Sequence, residues 1–267
     1  MRAAKRWIRA QFWEWRMRDR RNEVADELAR ALALPARPRL VERGNLGHDS
    51  NYNVFSGGEQ IGVLRLVNPH KRRPLPPAEM PFRIAGPSMR IKHEFEVYGR
   101  GAASGLTPEP VWKAPDALFC RYLPYRPLMS WVKGAESIWP LLLEASATLD
   151  RFHRETGLSH MDASLGNVLA NEDRSAHALV DFEYLPAEGV SFTEQKIYDH
   201  LRLVHSSWKF IRPDQRHDFG PWMAQLEGFL DANMRGASLL RIAPALENLM
   251  NDDAWRAQLG KLFRKLP

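Results

Sequence analysis

His160-Met161-Asp162-Ala163-Ser164-Leu165-Gly166-Asn167, followed by Val180-Asp181-Phe182-Glu183-Tyr184, is the stretch whose reading decides the fold. It sets an Asp and an Asn five positions apart, then a second Asp fourteen further on, at the end of an apolar run. Phosphoryl transfer uses such a trio. One Asp accepts or orients the proton of an attacking hydroxyl, while the Asn and the second Asp hold Mg²⁺ against nucleotide phosphates. Little covalent chemistry is left to the protein, so positioning and charge neutralisation carry the rate.

The neighbouring residues agree with that spacing. Residues 176–180 (Ala-His-Ala-Leu-Val) read as a short buried strand that delivers Asp181. Residues 171–175 (Asn-Glu-Asp-Arg-Ser) read as the turn before it. Asp, four residues, Asn, and a later metal-binding Asp is the order of a kinase catalytic loop and the motif that follows it. A chance set of polar loop residues would not agree in strand, turn and spacing at once.

On these residues the chain resembles the aminoglycoside phosphotransferase and choline/ethanolamine kinase superfamily, which has a protein-kinase-like fold and acts on small molecules. Asp181-Phe182-Glu183-Tyr184 is closer to the choline kinase form than to the Asp-Phe-Gly of protein kinases, and Gly166-Asn167 also looks like that group. The resemblance spans residues 39–210 and is strongest over 146–184. It implies an α+β, two-lobed protein-kinase-like fold, with a small β-rich N-lobe and a larger helical C-lobe. It further implies ATP and Mg²⁺ as cofactors, Asp162 as base or orienter, and Asn167, Asp181 and Glu183 facing the metal. His160 would brace the metal motif, and Asp199 would bond the catalytic-loop backbone.

The same resemblance organises the first half of the chain. Leu40 to Leu66 look like three strands. The polar turn at residues 44–51 would cover the ATP phosphates, with Gly44, Gly47 and Asn51 as its candidates. Arg65, on the third strand, stands where protein kinases carry a phosphate-binding Lys. Arg is a workable clamp because it is bidentate and always charged. Residues 88–103 read as a helix that places Ile91, Glu94, Phe95 and Tyr98 on one face, so Glu94 is expected to pair with Arg65 and Glu96 is the alternative. Residues 68–88 read as a Pro-rich, basic connecting loop, and 121–128 as the hinge between lobes. Helices are expected over 137–155, 193–211 and within 221–266. The domain reading is an arm over 1–38, an N-lobe over 39–123 and a C-lobe over 124–267.

Two positions depart from the pattern. Ser164 stands where protein kinases have Lys and many related phosphotransferases have His, so one positive group is missing. Met161 stands where Gly, Asn or Arg is usual. Neither is a metal ligand, yet the first leaves room for a slow enzyme or a pseudokinase with a binding role. A protein substrate is disfavoured, because no Ala-Pro-Glu element or long activation segment follows the metal motif. Trp208, Trp222 and Tyr184 are candidates for an aromatic cage around a quaternary ammonium acceptor such as choline. Bacterial lipopolysaccharide-sugar kinases are the rival, although their motif more often reads Asp-Phe-Asp.

Charge sorts the partners. The chain of 267 residues carries +6, but residues 1–21 hold eight Lys/Arg against two Asp/Glu, and the remainder is balanced. The basic character therefore belongs to an arm, so nucleic acid is not expected. Residues 3–33 read as helical and show two apolar stripes, Ile8, Phe12 and Trp15 on one, and Trp13, Met17, Val24, Leu28 and Ala31 on the other. A basic, Trp-rich helix suits a membrane interface, so peripheral membrane contact through residues 1–33 is one expectation, beside simple packing on the N-lobe. The single cysteine, Cys120, excludes an internal disulfide, and no apolar run is long enough to span a bilayer. The expected setting is the cytoplasm, including the inner face of the membrane, and the expected acceptor is a small-molecule hydroxyl.

Overall fold

The computed structural model describes residues 12–13, 15–43, 49–71 and 74–266. The chain folds as two compact units, one of residues 1–74, 86–99 and 108–123, the other of residues 75–85, 100–107 and 124–267.

The first unit is built on an antiparallel sheet. Its strands are β1 (Arg39–Glu42), β2 (Ser50–Ser56), β3 (Glu59–Leu66), β5 (Pro110–Ala114) and β6 (Ala117–Arg121), in the order β1-β2-β3-β6-β5. The alternation in β2 and β3 buries Tyr52, Val54, Leu64 and Leu66 on one face. Gly57 and Gly58, both at positive φ, make the β2–β3 turn, as a tight hairpin requires. A Cβ at Gly62 would lie 2.3 Å from the Cys120 carbonyl oxygen and from the Phe119 ring, so only glycine fits where β3 meets β6. Cys120 is buried, and burial pushes its thiol well above the usual range, as suits a packed residue rather than a nucleophile.

Helix α1 (Arg18–Ala31) lays Val24 and Leu28, with Met17 just before it, on the Tyr52–Val54–Leu64–Leu66 face. Each such burial contributes about 1.5–3 kcal/mol, enough to dock the helix. Arg20 adds a two-pronged bond to Asp116, at 2.8 and 2.7 Å. The stripe of Phe12 and Trp15 stays at the surface, 51% and 66% exposed, with the two rings stacked at 5.9 Å. Of the second stripe, Met17, Val24 and Leu28 pack while Ala31 stays exposed; of the first, Phe12 and Trp15 do not pack. Ile8 and the rest of residues 1–11 lie outside the described residues.

Helix α2 (Pro87–Ala102) follows. The connection before it differs from the expected loop. Residues 82–84 form β4 (Phe82–Ile84), which pairs antiparallel with β10 (Tyr184–Pro186), directly after Glu183. Phe82 packs on Tyr184, ring centroids 4.6 Å apart. A three-residue strand carries almost no periodicity, and its partner lies a hundred positions away, so tertiary pairing overrode the loop-like composition.

The second unit is mainly helical. Strands β7 (Arg126–Pro127), β8 (Val168–Ala170) and β9 (His177–Leu179) form a small sheet, and α3 (Met129–Val132) follows β7. Helix α4 (Trp139–Thr156) starts with Pro at its first turn and ends at Gly157 in the left-handed conformation. Helix α5 (Phe192–Ser207) opens on a capping box made by Ser191 and Glu194. Between α4 and α5, the Ser146 hydroxyl meets His200 Nδ1 at 2.8 Å, and burial holds His200 well below its usual pKa.

Helices α6 (Gly220–Phe229), α7 (Glu247–Met250) and α8 (Asp253–Leu262) close the chain around Trp255. The rings of Trp139, Trp208 and Trp222 lie 6.2, 6.4 and 5.6 Å from that of Trp255. This corrects the aromatic-cage expectation. Trp222 is 1% exposed and Tyr184 packs on Phe82, so Trp222 offers no open ring face to a cation. Among the described residues no helix is long and apolar enough to cross a membrane.

Candidate active site

The β8–β9 hairpin positions the central residues. Its register pairs Val168 with Leu179 and Ala170 with His177, which sets Asn167 and Val180 opposite each other at its open end. There the Val180 N–H donates to the Asn167 carbonyl at 3.0 Å, tying the Asn167 backbone to the chain one residue before Asp181. The Asn167 side-chain amide donates through Nδ2 to the Asp162 carbonyl at 3.0 Å, which leaves Oδ1 as the atom able to ligate a cation. Asp181 sits at φ 72, a left-handed conformation that Asp tolerates better than most residues and that collects at functional sites.

His160 links the two motifs. Its Nε2–H donates to the Val180 carbonyl at 3.0 Å, and its Nδ1 accepts from the Asp162 N–H at 3.3 Å, which fixes the tautomer. The ring lies 4.6 Å from that of Phe182. The bracing position inferred from the resemblance is therefore the one His160 occupies.

Asp199, from α5, is fully buried and anchors the segment leading into Asp162. Its Oδ2 accepts from the His160 N–H at 2.7 Å and from His153 Nε2 at 2.8 Å, and its Oδ1 accepts from the Met161 N–H at 2.7 Å. Met161 stands at φ 61, so this carboxylate holds a residue in a conformation that Gly or Asn adopts readily and Met does not.

The Asp162 carboxyl has its pKa pushed up to about 6. Burial is the largest cause. Arg202 and His160 oppose it, and the nearby Asp181 carboxylate adds to it. Arg202, one turn beyond Asp199 on α5, donates from Nη2 to Asp162 Oδ1 at 3.1 Å. Sequence reasoning missed Arg202. The signal was present: a lone Arg inside Ile197–Val204, three residues after Asp199 and therefore on the same helix face.

In the first unit, Arg65 Nη1 donates to Glu94 Oε1 at 2.7 Å, with the two side chains 14% and 0% exposed. Glu94 rather than Glu96 is thus the partner, and Glu96 lies at the surface 4.0 Å from Lys92. Asn51 is the β2 residue in register with Arg65. Removing one member of such a buried pair takes a charge-assisted bond from the other. Glu94→Ala is therefore expected to lower unfolding stability by about 3–5 kcal/mol, read from urea titration. A loss below about 1 kcal/mol would mean that the pair is not holding this unit together.

Asp162, Asn167 and Asp181 come together in the second unit, and Arg65 and Glu94 come together in the first. Glu183 lies half-buried two residues past Asp181. Gly44 and Gly47 fall outside the described residues. Among the described residues no three His, Cys, Asp or Glu side chains converge as a closed metal site. One carboxylate with an amide oxygen, completed by phosphate oxygens and water, is how Mg²⁺ is commonly held, so these residues fit that ion.

No family model matches the sequence, and no curated protein matches it. Among solved structures the chain is similar to a double mutant of the Mycobacterium tuberculosis PknI kinase domain. Identity is 17% and the TM-score 0.50, over 79% of this chain and 95% of that one. It is also similar to PK-1, a kinase of the Cydia pomonella granulovirus, at 14% identity and a TM-score of 0.40, over 62% of this chain and 58% of that one. The fold statement rests on the first of these: the chain has an α+β, protein-kinase-like fold, with a β-rich N-terminal part and a helical C-terminal part.

Proposed function

We propose that this protein is an ATP-dependent phosphotransferase that moves the γ-phosphate to a hydroxyl group of a small molecule. The observation that carries the reading is the joining of Asp162, Asn167 and Asp181 through His160 and the β8–β9 hairpin.

The acceptor hydroxyl would approach Asp162, whose carboxylate takes its proton as the new O–P bond forms. The bond between the γ-phosphorus and the β,γ-bridging oxygen breaks, and ADP leaves with those electrons. Asn167, through Oδ1, and Asp181, with Glu183 nearby, would hold Mg²⁺, which neutralises charge on the phosphates when bound. Arg65, held by Glu94, would clamp the α- and β-phosphates.

A small acceptor is favoured over a peptide because only a short strand and a turn separate the metal motif from α5, and one edge of that strand is already taken by β4. Within small acceptors, the burial of Trp222 weighs against choline and leaves sugars ahead. The test is ATP consumption with Mg²⁺ across sugars, lipopolysaccharide sugars, aminoglycosides, choline and ethanolamine, wild type beside Asp181→Ala. Acceptor-dependent turnover that vanishes in the variant supports the reading. Mg²⁺-dependent nucleotide binding without turnover would instead favour a pseudokinase with a binding role.

The exposed Phe12–Trp15 pair, with Arg16 5.6 Å from the Phe12 ring, favours a site of action at an anionic membrane surface and hence a lipid-linked sugar acceptor. Deleting residues 1–33 would also strip Met17, Val24 and Leu28 from the core, so the clean variant is Phe12→Ser with Trp15→Ser. It is expected to stay folded and to lose binding to phosphatidylglycerol vesicles that the wild type binds. Equal binding by both proteins would remove the membrane reading.

A further inference from the structure

The catalytic segment lacks a positive side chain at Ser164, yet Asp162 does not stand without one. Arg202 reaches it from α5 at 3.1 Å. The placement is built into the helix. Asp199 bonds the backbone of His160 and Met161, and one turn later the same face presents Arg202 to the side chain of Asp162. One helix thus sets both the backbone and the carboxylate of the catalytic segment. The Arg202 side chain is three-quarters covered, so its hold on Asp162 is screened less than a surface pair would be.

We propose that Arg202 is the positioning residue of this site, supplying from α5 the positive charge that the catalytic segment lacks at Ser164. By holding Oδ1 it turns Oδ2 of Asp162 toward the acceptor hydroxyl. Its charge also offsets the repulsion among Asp162, Asp181 and an incoming nucleotide. Because it pairs with Asp162, that carboxylate has no charge left over for a cationic acceptor, so the acceptor class is a neutral or anionic hydroxyl compound. This rests on the phosphotransfer reading above.

The experiment compares wild type, Arg202→Ala and Arg202→Lys, with nucleotide binding and thermal unfolding followed beside turnover. Turnover is measured on the panel above and, without an acceptor, as ATP hydrolysis. Arg202→Ala is expected to lose about 10²-fold in kcat, the cost of a misplaced catalytic group, while its KM for MgATP and its affinity for MgADP stay close to wild type. Arg202→Lys restores part of the rate because a point charge remains within reach of Asp162. Guanidinium ion added to Arg202→Ala gives a second rescue that a purely structural role would not show. A folded Arg202→Ala with wild-type kcat overturns the proposal while leaving the phosphotransfer reading standing. So does an acceptor whose reacting hydroxyl neighbours a quaternary ammonium and that outpaces every sugar. A folded wild type without turnover on any acceptor or on water overturns both.

Discussion

Asp162→Asn is expected to abolish phosphate transfer, with a loss of about 10²–10⁴ in kcat/KM, while nucleotide binding persists. The replacement keeps the shape of the side chain and removes its ability to accept a proton. In the folded protein the Asp162 carboxyl titrates near 6, against an ordinary 3.8, mainly because it is buried. The base is active only when ionised, so wild-type kcat/KM should rise with pH through a limb near 6, and that limb should be missing from any residual activity of the variant. The sign for stability is opposite. A carboxyl that keeps its proton longer in the folded state than in the unfolded chain makes stability fall as pH climbs from about 4 to about 6. Asp162→Asn should flatten that part of the stability curve. An Asn variant that turns over like wild type would remove Asp162 from the chemistry altogether.

Asp199→Ala is the second large effect, and it reads in stability first. The Asp199 carboxylate is fully buried and accepts three bonds, from the His160 and Met161 N–H groups and from His153 Nε2. Alanine leaves all three donors buried without an acceptor. Each such group costs about 1–3 kcal/mol, so a total of about 3–9 kcal/mol is expected from urea unfolding. Activity should fall as well, because nothing would then hold Met161 at φ 61 and Asp162 would drift with it. His153→Ala removes only one of the three donors and should cost much less. A drop below about 1 kcal/mol in Asp199→Ala would show that the segment is held by other contacts.

The parts of this fold that were legible in the chain are those set by local pattern. Asp162, Asn167 and Asp181 could be placed because a loop of fixed length and a strand ending in Asp constrain one another within twenty residues. Glu94 could be chosen over Glu96 because a helix face separates the two by burial. Met17, Val24 and Leu28 formed a visible stripe, but which of two stripes packs depends on the partner surface, and the chain does not display that. Strand β4 was hidden for a similar reason. Phe82–Ile84 is too short to carry a period, and its pairing is decided by residues 184–186. Trp222 looked available for a ligand and is instead packed on Trp255, because composition reports an aromatic ring without reporting its neighbours. Arg202 was missed because a charge on a helix is ordinarily solvated, and only its register with Asp199 marks it as turned inward.

Calorimetric titration of ATP into wild type and Asp181→Ala, each with and without Mg²⁺, reads the metal-holding role of Asp181 without any acceptor. If Asp181 and Asn167 hold the ion against the phosphates, wild type binds ATP more tightly with Mg²⁺ than without it, and Asp181→Ala loses that dependence while staying folded. No nucleotide binding by the folded wild type, or an unchanged Mg²⁺ dependence in Asp181→Ala, would contradict the account.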